Sequence, residues 1–82
     1  MPGLRKCPAV GVLVQVDWID ITATINADLA DATPAPCITF GKVAKKTDSF
    51  IVIATSLFCE PGETCGDFVA IPLGVIKRIK KI

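Results

Sequence analysis

The sequence predicts an all-β fold, a small antiparallel barrel of five short strands forming one domain over residues 1–82. Three observations carry that reading. Val and Ile concentrate in short runs, and β-branched side chains suit a pleated surface better than a helix. Segments rich in Pro, Gly, Asp and Ser separate those runs at the spacing of short antiparallel strands. With 82 residues, the chain is too short for two domains or an enclosed substrate cavity, and it buries only about 60–65% of its unfolded surface.

The elements follow in order. Residues 1–9 carry Pro2, Gly3 and Pro8 and read as an irregular lead-in. Residues 10–21 form the first strand signal, with Val10, Val12, Val14, Val16 and Trp18 on one face at period two. Residues 22–36 read as a long loop: Ala-, Asp- and Thr-rich, ending in Thr33-Pro34-Ala35-Pro36, where two prolines break helix and ladder alike. Asn26 is placed to cap a short helical turn through residues 27–30. Residues 37–45 resume strand character, Lys46-Thr47-Asp48-Ser49 is a turn, and residues 50–58 form a strand apolar on both faces, so both should be covered. A turn over residues 59–66 leads to a strand over 67–72 that Pro72 terminates. Leu73-Gly74-Val75 makes a tight turn, and residues 76–82 close the chain. Ile76, Ile79 and Ile82 recur every third residue, which also fits a helix behind Pro72. The segment is too short and too β-branched for a helix to stand alone, and the reading is a strand.

Composition narrows the function. Hydrophobic residues make up 51% of the chain, aromatics only 6%, and histidine and tyrosine are absent. Mean hydropathy is +0.56. A chain this apolar and this small either spans a membrane or buries surface against copies of itself. A spanning helix needs about 20 consecutive apolar residues. Here residues 10–16 contain Gln15, and residues 50–58 contain Thr55 and Ser56. The basic start is followed by Pro8, Gly11 and Asp17 rather than a secretory core and cleavage site. The expectation is a soluble, cytoplasmic protein with no membrane contact that assembles with itself.

The four cysteines give a weak metal signal, and a redox-responsive or metal-stapled module at Cys59 and Cys65 is a third reading. Cys59 and Cys65 flank Glu60-Pro61-Gly62-Glu63-Thr64, and a hairpin there brings the two thiols close enough for a disulfide in an oxidising compartment. Zinc needs two further ligands, and only Cys7 and Cys37 remain, with no C-x-x-C pair. No cofactor is expected. No enzyme is expected either, because histidine is absent as a base and no nucleophile–base pair or Gly-rich phosphate loop is present.

Two stretches resemble a known family. Gly41-Lys42-Val43, followed by Lys46-Thr47-Asp48-Ser49-Phe50-Ile51-Val52-Ile53, looks like the first motif of Sm-like proteins. That motif has a glycine in strand two and an Asp-x-aromatic step into strand three. Ala70-Ile71-Pro72-Leu73-Gly74-Val75-Ile76-Lys77-Arg78-Ile79 is similar to the second motif. The Val-rich strand ending in Val16-Asp17-Trp18-Ile19-Asp20 also looks like short Sm-like proteins of tailed phages, including cyanophages. The resemblance covers residues 10–82 and implies a five-stranded Sm-like or SH3-like barrel. It also implies a cyclic homo-oligomer in which strand four of one copy pairs with strand five of the next. That pairing sets residues 67–72 against 76–82 and places Val69, Ile71, Ile76 and Ile79 at the interface. For a phage protein the compartment would be the host cytoplasm. The chain departs from the family at Val52, where the uridine pocket uses asparagine, and at Leu73, where it uses Arg or Lys.

Charge supplies the last signal. Net charge is +1, yet residues 37–58 carry +2 and residues 73–82 carry +4 against negative flanks. Repeated cations are what phosphate contacts need. The expected nucleic-acid-binding set is Lys42, Lys45, Lys46, Asp48, Phe50, Lys77, Arg78, Lys80 and Lys81, with Phe50 or Trp18 as a stacking surface if exposed. The function expected is a non-catalytic Sm-like ring that binds RNA or another nucleic acid. The alternative is a phage structural adaptor that holds a protein partner with the same barrel and has no nucleic-acid role.

Overall fold

Gly11 decides where the first strand begins. Its φ of +95° lies in the left-handed region that side chains avoid, so the extended run predicted from Val10 cannot start there. The chain turns instead. The Gly11 N–H donates to the Val43 carbonyl (2.7 Å), and the Val43 N–H donates to that of Val12 (3.0 Å). The computed structural model describes residues 7–23, 28–57 and 66–82. Five strands follow the turn: β1 (Leu13–Asp20), β2 (Ala35–Lys46), β3 (Phe50–Leu57), β4 (Gly66–Pro72) and β5 (Ile76–Lys81). They form one antiparallel sheet in the order β4-β3-β2-β1-β5. The fold is all-β, as predicted, with two 3-10 turns at Leu29–Asp31 and Leu73–Val75.

β2 starts at Ala35, inside the stretch predicted as loop. Pro36 stands opposite Ile19 of β1, while the pairing of β2 with β3 begins only at Lys42. On its other side no ladder reaches Pro36 among the described residues, and an edge position is where a strand tolerates proline. The cap expected at Asn26 lies outside the described residues; the 3-10 turn stands at Leu29–Asp31 with no side-chain cap.

The sheet is curled rather than flat. Ile71 of β4 and Ile76 of β5 belong to one buried cluster with Val14, Val16, Val43, Ile51 and Ile53. In a flat sheet of this order, β4 and β5 would stand four strand spacings, about 19 Å, apart. Sharing one core therefore demands that the sheet coil around it, as a barrel does. Each such aliphatic side chain contributes about 1.5–3 kcal/mol on burial. The coil does not close: among the described residues no ladder joins β4 to β5.

Three irregularities produce the coil. The β2–β3 register shifts between Val43 and Lys45, and the β3–β4 register between Ala54 and Ser56. The β1–β5 register shifts at Asp17/Trp18, so Ile76 faces Trp18 while Ile79 faces Val16. A bulge of this kind adds one residue and rephases the strand. It puts isoleucines three apart on one face, which explains a helix-like spacing inside a strand. Where β2 bends away from β3, Gly41 lies so close to it that a Cβ would stand 2.3 Å from the Ala54 carbonyl oxygen.

The core absorbs the predicted interface side chains. Ile71 and Ile76 are buried in the chain's own core, and Val69 and Ile79 pack against it half-buried. The burial of Ile71 and Ile76 therefore needs no second copy. The register sets Val69 opposite Ile53, Ile71 opposite Ile51, and Ile79 opposite Val16, all inward-facing. Both faces of β3 were expected to be covered. Its inner side chains Ile51 and Ile53 are buried, with Ala54 beside them, while Thr55, Ser56 and Leu57 are exposed.

Candidate nucleic-acid interface

The predicted cations fall into two groups. The first lies at the β2–β3 turn, built around Thr47. The Thr47 hydroxyl accepts from the Ser49 and Phe50 N–H groups (3.1 and 3.0 Å) and donates to the Phe50 carbonyl (3.1 Å). The Leu73 N–H donates to the Ser49 carbonyl (3.0 Å), which ties the β4–β5 turn to the β2–β3 turn. Lys45, Lys46 and Asp48 stand exposed at this end. The Lys45 ammonium lies 5.7 Å from the centroid of the half-buried Phe50 ring, within cation–π range. So Lys45 and Phe50 are brought together, but the cation already occupies that ring.

The second group is on β5. Lys80 stands opposite Gln15, Lys81 opposite Val14, and Arg78 opposite Asp17. The Arg78 Nε and Nη2 atoms both donate to Asp17 Oδ2, at 3.1 and 2.8 Å. Gln15 Nε2 donates to the other carboxylate oxygen at 2.8 Å. The Gln15 hydrogen bond, ahead of the Arg78 contact, holds the Asp17 carboxyl below its ordinary value, against a desolvation effect that raises it. Arg78 is therefore largely spoken for. Lys77 lines a hollow of about 470 Å³ with Arg78, Trp18, Cys37 and Ile38. Trp18 is a half-buried inner-face residue whose indole N–H donates to Thr39 Oγ1 (3.0 Å).

Sequence reasoning missed the most exposed aromatic among the described residues. Inward-facing Val43 fixes the alternation of β2, so Cys37, Thr39 and Gly41 point in and Ile38, Phe40 and Lys42 point out. Phe40 is 57% exposed and Ile38 is 60% exposed. On the adjoining strand Leu13 stands opposite Lys42, and Gln15 opposite Phe40. The signal was legible as an alternation of small or polar against large apolar side chains from Cys37 to Gly41.

Cys59 and Cys65, singled out for a disulfide, lie outside the described residues. Cys7 and Cys37 are free thiols. Among the described residues no helix is long and apolar enough to cross a membrane. The chain matches no protein-family model, no curated protein and no solved structure.

Proposed function

We propose that this chain is a non-catalytic, Sm-like, ring-forming protein of the cytoplasm that binds RNA. The observation that carries the reading is the open sheet. β4 and β5 are its two edges, and only the 3-10 turn Leu73–Val75 separates them. Exposed edges invite strand addition unless something covers them. Pairing β4 of one copy with β5 of the next would satisfy both at once. Because Val69, Ile71, Ile76 and Ile79 face inward, that junction would rest on backbone hydrogen bonds. Its outer-face neighbours would be Phe68 and Ala70 on one side and Arg78 and Lys80 on the other. RNA binding is supported by the cations around the β2–β3 turn and on β5, which a ring repeats once per copy.

Light scattering coupled to size exclusion tests the assembly. The wild-type chain is expected to run as one discrete oligomer. The double variant F68K/A70K sets lysines against Arg78 and Lys80 across the junction and is expected to run as a folded monomer. A wild-type monomer at tens of micromolar would refute the ring. For the RNA half, oligo(U) or oligo(A) should shift in a salt-dependent way, and less so after K77E and K80E. No shift at low salt would remove that half.

A further inference from the structure

The outer face of β5–β1–β2 has a chemistry that the core does not need. Its central side chain is Phe40, exposed on β2. Lys42 lies two residues along β2, about 7 Å away, and Lys80 lies two strands across on β5, about 10 Å away. Ile38 and Leu13 complete the apolar centre at 60% and 50% exposure. Among the described residues Asp17 is the carboxylate on this face, and Arg78 and Gln15 occupy it. No salt bridge among the described residues engages Lys42 or Lys80, although Lys80 also acts on Asp17 through space. Beside Lys42, where β2 parts from β3, lies a hollow of about 310 Å³ lined also by Leu13, Ala54, Ser56 and Leu57.

This combination selects its occupant. A second copy stacked face to face would bring two sets of Lys42 and Lys80 together, a like-charge contact that disfavours self-association. A polyanion with flat apolar groups is complementary to both elements: phosphates to the lysines, and a base to the ring. Duplex bases are stacked inside the helix and cannot lie on Phe40. We propose that single-stranded nucleic acid crosses this face, with one base stacked on Phe40, phosphates on Lys42 and Lys80, and the neighbouring base over the hollow beside Lys42. The site rests on the nucleic-acid half of the proposed function and is independent of ring formation. It relocates the aromatic platform from Phe50, whose ring is covered by Lys45, to Phe40.

The test is fluorescence anisotropy with labelled 15-nucleotide (U)15 and (dT)15, from 50 to 200 mM KCl, on the full chain. The two probes separate an RNA-specific from a general single-strand site. Wild type is expected to bind at least one of them more tightly than a duplex of equal length. Phe40→Ala is expected to weaken binding by roughly 5- to 150-fold, the range for loss of one stacked base, and Phe40→Trp to retain it. Lys42→Ala and Lys80→Ala should each reduce the log–log salt slope by about 0.7, one phosphate contact on a single strand. An unchanged Trp18 emission spectrum in Phe40→Ala establishes that the fold is intact. The proposal is overturned by any of four results: no wild-type binding, Phe40→Ala within twofold of wild type, equal affinity for duplex, or polyglutamate binding that is as tight and as Phe40-dependent. Loss in Phe50→Ala with none in Phe40→Ala would defeat this site while leaving RNA binding at the β2–β3 turn standing. Phe40-dependent binding by a monomer would sustain the site and defeat the ring.

Discussion

Replacing Gly41 by alanine tests how the sheet coils. The added Cβ would lie 2.3 Å from the Ala54 carbonyl oxygen and 2.7 Å from Ile53 Cγ2. Ile53 is fully buried, and the carbonyl belongs to β3 where it pairs with β2, so backbone must move. Overpacking of this kind costs about 1–3 kcal/mol, and a main-chain clash places Gly41→Ala at the upper end. Alanine restricts the unfolded chain and returns about 0.4–1 kcal/mol, which leaves a net loss of about 2 kcal/mol. Against a stability of about 4–12 kcal/mol for a chain of this length, that is a large fraction. Urea unfolding followed by Trp18 fluorescence should show the midpoint falling by about 2 M, taking a slope near 1 kcal/mol/M. Gly74→Ala is the control, because nothing lies within 4 Å of its Cβ position, and it should stay within about 0.5 kcal/mol of wild type. A Gly41→Ala midpoint indistinguishable from that of Gly74→Ala would refute the account of the close approach.

Further predictions concern the β2–β3 turn and the outer face. Thr47→Ala removes the hydroxyl that closes the turn and should cost about 1–2 kcal/mol, read as a lower denaturation midpoint; Thr47→Ser should recover most of it. Asp17 should titrate below the ordinary aspartate value of about 3.9 when its carboxyl carbon is followed by NMR, and Gln15→Ala should move the midpoint upward. A lowered folded-state value means that ionised Asp17 stabilises the fold above the unfolded value, a contribution lost as pH falls through the folded one. Gln15→Ala should therefore blunt the acid sensitivity between those two values, and an unchanged Asp17 midpoint would contradict the hydrogen-bond assignment.

Much of the fold was legible because period two is a strong signal where one face is buried. Val14, Val16 and Trp18 announced β1, and Ile51 and Ile53 announced β3. The failures have local causes. The predicted first strand began too early because valine propensity at residues 10 and 12 says nothing of the positive φ at Gly11. β2 was begun too late because Pro36 reads as a breaker until it is known to stand opposite Ile19, with no second ladder on it among the described residues. The three-residue spacing of Ile76 and Ile79 looked helical because a bulge rephases β5, and a bulge depends on the partner strand. The site was less legible. Charge located the cations, but not that Arg78 would be claimed by Asp17 or that Lys45 would cover Phe50. Phe40 was hidden in plain alternation, since its outward direction is fixed only once Val43 is known to face in.

The Leu73–Val75 turn has a consequence beyond linking two strands. Under the proposed edge-to-edge assembly the chain would be a bifunctional unit, with β4 as one end, β5 as the other, and this turn setting the angle between them. Units joined head to tail close when that angle is constant and repeat without end when the rotation fails to return. The hydrogen bond from the Leu73 amide to the Ser49 carbonyl braces the turn against the next hairpin and stiffens the angle. One hydrogen bond at residue 73 thus bears on whether edge-to-edge assembly yields objects of a single size or fibres of every length.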